Sequence, residues 1–176
     1  MSGHLTKQII FIVLCVILSG CGFHVRNGDA LPPQLHTLYL QSDQPYGQFE
    51  ITLKRALQKA TLNVVNTPTT APIALQIINT RFTHDTPTIG DSSQARVYNF
   101  TYTVTFSITN TRSGHTLLLP RTVSMTRALT INANQVIDSN NDVDIAQRQM
   151  QRGAIMQILN ILASQQVNTL LRHDNP

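Results

Sequence analysis

The sequence predicts an α/β chain of the two-layer α+β sandwich kind: a mixed four-stranded sheet, element order β-α-β-β-β-α, with two helices packed on one face. Three patterns carry that prediction. Tyr98, Phe100, Tyr102, Val104, Phe106 and Ile108 alternate strictly with Asn99, Thr101, Thr103, Thr105, Ser107 and Thr109, the period-two mark of a long two-faced strand. Phe49, Leu53, Ala56, Leu57 and Ala60 fall at i, i+4, i+7, i+8 and i+11, one apolar stripe on a helix. Ala146, Met150, Ala154, Ile158 and Leu162 recur once per helical turn, and Ile155, Leu159 and Ile161 widen that second stripe.

The chain opens on an apolar run, residues 9–18, that ends in Leu18-Ser19-Gly20-Cys21. At ten residues the run is too short to span a membrane, which takes roughly 20. His4 and Lys7 supply a weakly basic start, and Ser19-Gly20 the small residues of a cleavage site. A small pair followed by cysteine resembles a bacterial lipobox. The resemblance implies that residues 1–20 are a lipoprotein signal peptide and that Cys21 is acylated. Gly22, standing where Asp would otherwise be, is similar to the signals of lipoproteins sent to the outer membrane. Two or more acyl chains anchor stably where one does so only marginally.

Residues 21–33 then read as a lipidated tether, with a turn at Asn27-Gly28 and an extended entry at Pro32-Pro33. Residues 34–176 are expected to form a single domain. Its first strand, residues 35–41, is mostly apolar and therefore internal. Ser42-Asp43 offers a cap and Pro45 a first turn for the first helix. A short extended stretch at 62–65 and a loop at 68–72 lead to a strand from Ile73 to about Thr83. Strand, crossover helix and strand make a right-handed unit, so these two strands are expected to be parallel.

Residues 86–94, with Pro87, Gly90 and Asp91, read as a hairpin loop before the alternating third strand. Arg112-Ser113-Gly114-His115 turns the chain into a fourth strand, residues 116–131, in which Pro120 predicts a bulge or edge break. Thr122, Ser124, Thr126 and Thr130 continue the polar face. Arg127 breaks the rule by sharing the apolar parity of Val123, Met125, Leu129 and Ile131. It either snorkels where the strand outruns the helices or serves as a functional cation. Asn140-Asn141-Asp142 supplies a cap for the last helix, whose end is expected near Leu171-Arg172.

Removing residues 1–20 from 176 leaves 156, enough for one domain with a proper core. Cys15 leaves with the signal peptide and Cys21 takes the lipid. The mature chain then has no thiol for a disulfide, a nucleophile or a cysteine metal site. Charged residues make up 12% of the chain, where a typical soluble domain has about 25%. Thr, Asn and Gln fill the surface instead, which suits a protein enclosed by a wet, polar partner. The mature balance of twelve basic to nine acidic residues is too mild to imply nucleic acid.

Catalytic patterns are missing. His24, His36, His84, His115 and His173 are scattered, with no i, i+4 helical pair to hold zinc. Gly90-Asp91-Ser92 is not a nucleophile elbow, no phosphate loop occurs, and His84-Asp85 reads as loop polarity. Asp142 and Asp144 are explained by the helix dipole. No enzymatic activity and no metal are expected, nor any cofactor apart from the covalent lipid on Cys21.

Cys21-Gly22-Phe23-His24-Val25-Arg26 and Leu31-Pro32-Pro33, with the aromatic alternation of 98–106, Thr126-Arg127, Asn134-Gln135-Val136 and the last helix, resemble the LPS-assembly lipoprotein LptE family. That resemblance implies a lipid-tethered plug inside the outer-membrane β-barrel LptD, on the periplasmic side. Such a plug helps assemble the barrel and deliver lipopolysaccharide to the outer leaflet. The family's lipopolysaccharide contacts are basic residues in the loop after strand two and before the last helix. Here residues 89–94 and Asp138-Ser139-Asn140 carry no base, so Arg96 and Arg127 are the nearest candidates for lipopolysaccharide or partner contact. The alternative is a free-standing lipoprotein chaperone or scaffold that binds acyl chains or peptides in a deep apolar pocket.

Overall fold

A computed structural model describes residues 31–85, 88–89, 95–132 and 136–173. The expected signal peptide, Cys21 and the tether as far as residue 30 lie outside the described residues. So does most of the 86–94 loop.

Pro32 and Pro33 start a short 3-10 turn, Pro33–Leu35, that buries Leu35 and delivers the chain into β1, Thr37–Ser42. Helix α1, Gln48–Lys59, follows and buries Phe49, Leu53 and Leu57, the predicted stripe. Its N-cap is Gly47, with no side-chain cap bond, so the cap expected at Ser42-Asp43 does not form. Ser42 Oγ instead donates to Glu50 Oε1 at 2.9 Å, which holds the carboxylate inside the first helical turn. There the unpaired N–H groups of the helix favour negative charge.

β2, Asn63–Val65, and β3, Ile73–His84, both pair with β1 in parallel, as expected for the two long strands. β4, Thr88–Ile89, pairs with the start of β5, Ala95–Asn110. β6, Thr116–Asn132, runs antiparallel along the whole of β5. The sheet is mixed, as predicted, but among the described residues it has six strands, five in the path β2-β1-β3-β5-β4 and β6 on the other side of β5. The two extra strands have three and two residues, too few to display a period.

Between β5 and β6 the register shifts so that Leu119 and Pro120 face the single residue Ser107, the bulge that Pro120 predicted. In the turn before β6, Gly114 sits at φ +70°, where a side chain is strained. Asn110 Oδ1 accepts from the backbone N–H of Arg112 at 2.8 Å and of Ser113 at 3.2 Å and holds that turn closed.

Helix α2, Val136–Leu162, begins seven residues before the predicted Val143. Asn and Asp lie within ~0.7 kcal/mol of Ala in helix propensity, so cap-type residues do not force a helix to start. The single last helix that the stripe suggested is two. α2 stops at Leu162, and α3, Gln165–His173, restarts after Ser164, whose Oγ accepts from the Val167 N–H at 3.4 Å in an N-cap. Among the described residues three helices therefore pack on the sheet, α2 against β5, β6 and α1, and α3 against β6.

The core between the layers joins Leu38, Leu75, Phe106 and Ile108 to Leu53, Leu57, Ile158, Leu162 and Val167. Complete burial of each such side chain contributes ~1.5–3 kcal/mol. One polar seam runs through it. Tyr102 of β5 is buried and meets Gln151 of α2 and Thr80 of β3 by hydrogen bond. Burial pushes its phenol up to about 12, with the Glu50 carboxylate adding to the rise and the two hydrogen bonds opposing it.

Candidate functional site

The helices cover the face that holds Phe100, Tyr102, Val104 and Phe106. The other face of β3, β5 and β6 is open over its outer half. Register sets three rows across it: Asn79–Thr105–Thr122, Arg81–Thr103–Ser124 and Thr83–Thr101–Thr126. The β5 members are half-buried between their neighbours, while Asn79, Arg81, Thr83, Thr122, Ser124 and Thr126 are exposed. Thr105 and Thr122 join hydroxyls at 2.9 Å. Toward β1 the same face closes, with Ala74 and Ser107 buried.

The predicted ladder of hydroxyls on β5 and β6 is therefore present, and β3 extends it. The sequence pattern does not place Arg81 on this face. β3 carries a register shift between Ile77 and Asn79 that changes which parity faces outward, and nothing in Ile77-Ile78-Asn79 signals it. Arg81 is the one charged member of the three rows.

Arg96 and Arg127 come to the same end of the sheet, on the aromatic face. Arg127 stands opposite Phe100, and Arg96 lies four residues earlier on β5, opposite Ile131. At roughly 3.4 Å per residue the two backbone positions are about 14 Å apart along the sheet. Both side chains are exposed, which suits both readings of Arg127.

Beside them lies an aromatic cluster. Phe82 stacks on Phe100 with centroids 5.4 Å apart, and Tyr98 lies 6.1 Å from Phe100. The His84 ring meets the Tyr98 ring edge-on at 5.7 Å. His84 thus ends a strand inside a ring cluster and is not loop polarity. Its Nδ1 lies 3.2 Å from the Asp85 carbonyl oxygen.

Among the described residues no group of three or more His, Cys, Asp or Glu side chains gathers where a metal could be held. No described helix is long and apolar enough to cross a membrane. The arrangement offers a broad hydroxyl-bearing surface and a cationic, aromatic sheet end.

The sequence profile of the LptE family, described as lipopolysaccharide-assembly, matches residues 35–162. The LPS-assembly lipoprotein LptE of Pectobacterium atrosepticum is 26% identical over 179 residues, which span 98% of this chain and 96% of the relative. The protein of the same name from Yersinia pestis is 22% identical over 178 residues, spanning 98% and 84%. Among solved structures, a lipoprotein B from Nitrosomonas europaea superposes with a TM-score of 0.68 at 19% identity, covering 86% of this chain and 97% of that one. The rare lipoprotein B from Shewanella oneidensis does so with a TM-score of 0.63 at 18% identity, covering 76% and 98%. At these identities the structural likeness speaks for the fold.

Proposed function

Because the chain belongs to the lipopolysaccharide-assembly LptE family, we propose that it is a non-enzymatic outer-membrane lipoprotein that plugs the LptD β-barrel, helps it assemble and assists lipopolysaccharide transport to the outer leaflet. The observation that carries this reading is the three-row open face of β3, β5 and β6. Barrel interiors are polar. A plug that meets such a wall must replace the water on its own surface with hydrogen bonds. Hydroxyls do so at small desolvation cost, whereas each enclosed charge needs a partner. Eight of the nine residues in the rows are uncharged.

In this reading the acyl chains on Cys21 hold the protein at the periplasmic side of the outer membrane while the domain sits in the barrel. Arg96 and Arg127 are assigned to lipopolysaccharide or partner contact. Their guanidinium groups present paired N–H donors to phosphate, and the rings beside them offer flat surfaces to sugars.

Affinity purification of the full-length chain from outer membranes tests the reading. It requires co-recovery of a heat-modifiable large β-barrel, and recovery of the chain alone would remove the plug in favour of a free-standing chaperone. Arg96→Glu and Arg127→Glu should each raise outer-membrane permeability to large antibiotics. Wild-type behaviour in both would strike them from the site.

A further inference from the structure

The outer edge of β1 is left open where β2 stops. β2 pairs with β1 only at Thr37, Leu38 and Tyr39, whereas β3 follows the opposite edge as far as Ser42. Among the described residues no other strand lies along Leu40, Gln41 and Ser42 on that outer side. A groove of about 650 Å³ sits there, between the β1 edge and α1, within the ~300–1,000 Å³ typical of ligand clefts.

The groove has an apolar strip and a cationic rim. Leu40, Ile51 and Val65 line it, and Lys54 and Arg55 come from the α1 side. Lys54 Nζ donates to Asn66 Oδ1 at 2.9 Å, which holds the ammonium beside the end of β2. Glu50 is the one carboxylate among the lining residues. It is buried, accepts from Ser42 and sits in the first turn of α1, so its charge is answered from within the fold. The rim is left with net positive charge.

We propose that this groove binds an extended acidic peptide segment of a partner protein, which continues the sheet from the point where β2 ends. The segment's main chain pairs with β1 from Leu40 to Ser42. Its carboxylates, on the α1 side, reach Lys54 and Arg55 beside Leu40 and Ile51, and the alternate apolar side chains turn to the other face, toward Tyr39 and Val65. Strand addition of this kind takes its affinity from main-chain hydrogen bonds and its selectivity from alternate side chains. A free phosphate or a lipid headgroup satisfies the cations but leaves the strand edge unpaired. The edge and the rim together select a peptide. The groove is separate from the Thr-rich rows, so the inference stands apart from the plug reading.

The test is fluorescence anisotropy of a labelled Val-Asp-Val-Asp-Val amide with the full-length chain in detergent. Saturable binding is expected, weakened at least tenfold in the double variant Lys54→Glu, Arg55→Glu and unchanged in Arg172→Glu. A Val-Lys-Val-Lys-Val probe, and an acidic probe N-methylated at alternate residues, should each bind at least tenfold more weakly. Should the double variant melt early, a photo-crosslinking residue at position 66 in the otherwise wild-type chain gives the second readout, an adduct with the acidic probe. The proposal is overturned if the acidic probe fails to bind, if the basic or methylated probe binds equally well, or if charge reversal leaves affinity intact. It is also overturned if position 66 crosslinks to residues 22–30 of its own chain or to a second copy in place of the probe.

Discussion

Thr105 and Thr122 face each other across β5 and β6 with their hydroxyl oxygens 2.9 Å apart. Either can donate to the other, so the pair is satisfied before any partner arrives and keeps lone pairs for one that does. A surface built this way is stable in water and loses little when the water is replaced by a polar wall.

That relationship separates folding from assembly. Thr122 is exposed, and exposed substitutions away from caps and cores change stability by about 0.5 kcal/mol or less. Thr122→Val and Thr122→Asp should therefore melt close to wild type. Thr122→Asp should sharply lower recovery of the β-barrel from outer membranes, because an enclosed carboxylate without a partner is costly, whereas Thr122→Val should lower it modestly. Equal recovery for the aspartate variant and wild type would count against enclosure of this face.

Tyr102 makes stability fall at high pH. Its phenol is raised from 10.0 to about 12, chiefly by burial, so the folded chain holds the proton more tightly than the unfolded chain. The contribution is complete below pH 10 and is lost as pH rises through 12; at ~1.4 kcal/mol per unit it amounts to at most about 3 kcal/mol before solvent screening. Tyr102→Phe should be about 1 kcal/mol less stable near pH 8, having lost its hydrogen bonds, yet show a flatter decline between pH 10 and 12. Chemical denaturation across that window decides it, and parallel curves for the two proteins would refute the assignment.

Long elements were legible in the sequence and short ones were not. The alternation from Tyr98 to Ile108 marks both faces of β5 because it runs for many residues, and Phe49, Leu53 and Leu57 mark the buried side of α1 for the same reason. β2 and β4 are too short to show a period, and they pair because longer strands hold an edge in place. Ser42 and Ser164 show why cap residues mislead when read locally. The sequence offers Ser42 as a cap for α1, but it binds Glu50, and Ser164, inside the span predicted for one last helix, starts α3. Arg127 could be placed on the aromatic face from parity alone. Arg81 could not, since a bulge reverses parity ahead of it. The β1 groove depends on where β2 stops, which is a property of pairing and not of either segment alone.

Gly153 lies where α2 crosses β6. A Cβ at this position would come within 2.9 Å of Met125 Sδ, so the helix approaches the strand as closely as it does because a hydrogen stands there. Thioethers are flexible and can move aside, and Ala gains ~0.8–1 kcal/mol over Gly in a helix interior. The two effects nearly cancel. Gly153→Ala should lie within about 0.5 kcal/mol of wild type, while Gly153→Leu should lose about 1–3 kcal/mol through overpacking. Adding Met125→Ala should relieve the leucine variant in a double-mutant cycle. A cycle with no coupling between the two positions would show that the close approach is inconsequential.

Ser164 separates α2 from α3, and its role is tested by substitutions that keep or remove the acceptor. Its Oγ accepts from the Val167 N–H, while the Asn168 N–H bonds to its carbonyl at 3.0 Å, so both side chain and backbone begin the new helix. α3 buries Val167 and Leu171, and Arg121 of β6 donates to Gln166 Oε1 at 2.9 Å. A loosened start would therefore also free that end of the sheet. Ser164→Ala should cost about 1 kcal/mol, and Ser164→Asp should keep or slightly raise stability, because aspartate also accepts at an N-cap and its charge suits the helix end. Hydrogen exchange of α3 amides gives the local readout, with faster exchange in the alanine variant confined to Gln165–His173. If alanine and aspartate behave alike in melting and exchange, the break between the helices is set by packing of Val167 and Leu171 and not by the serine.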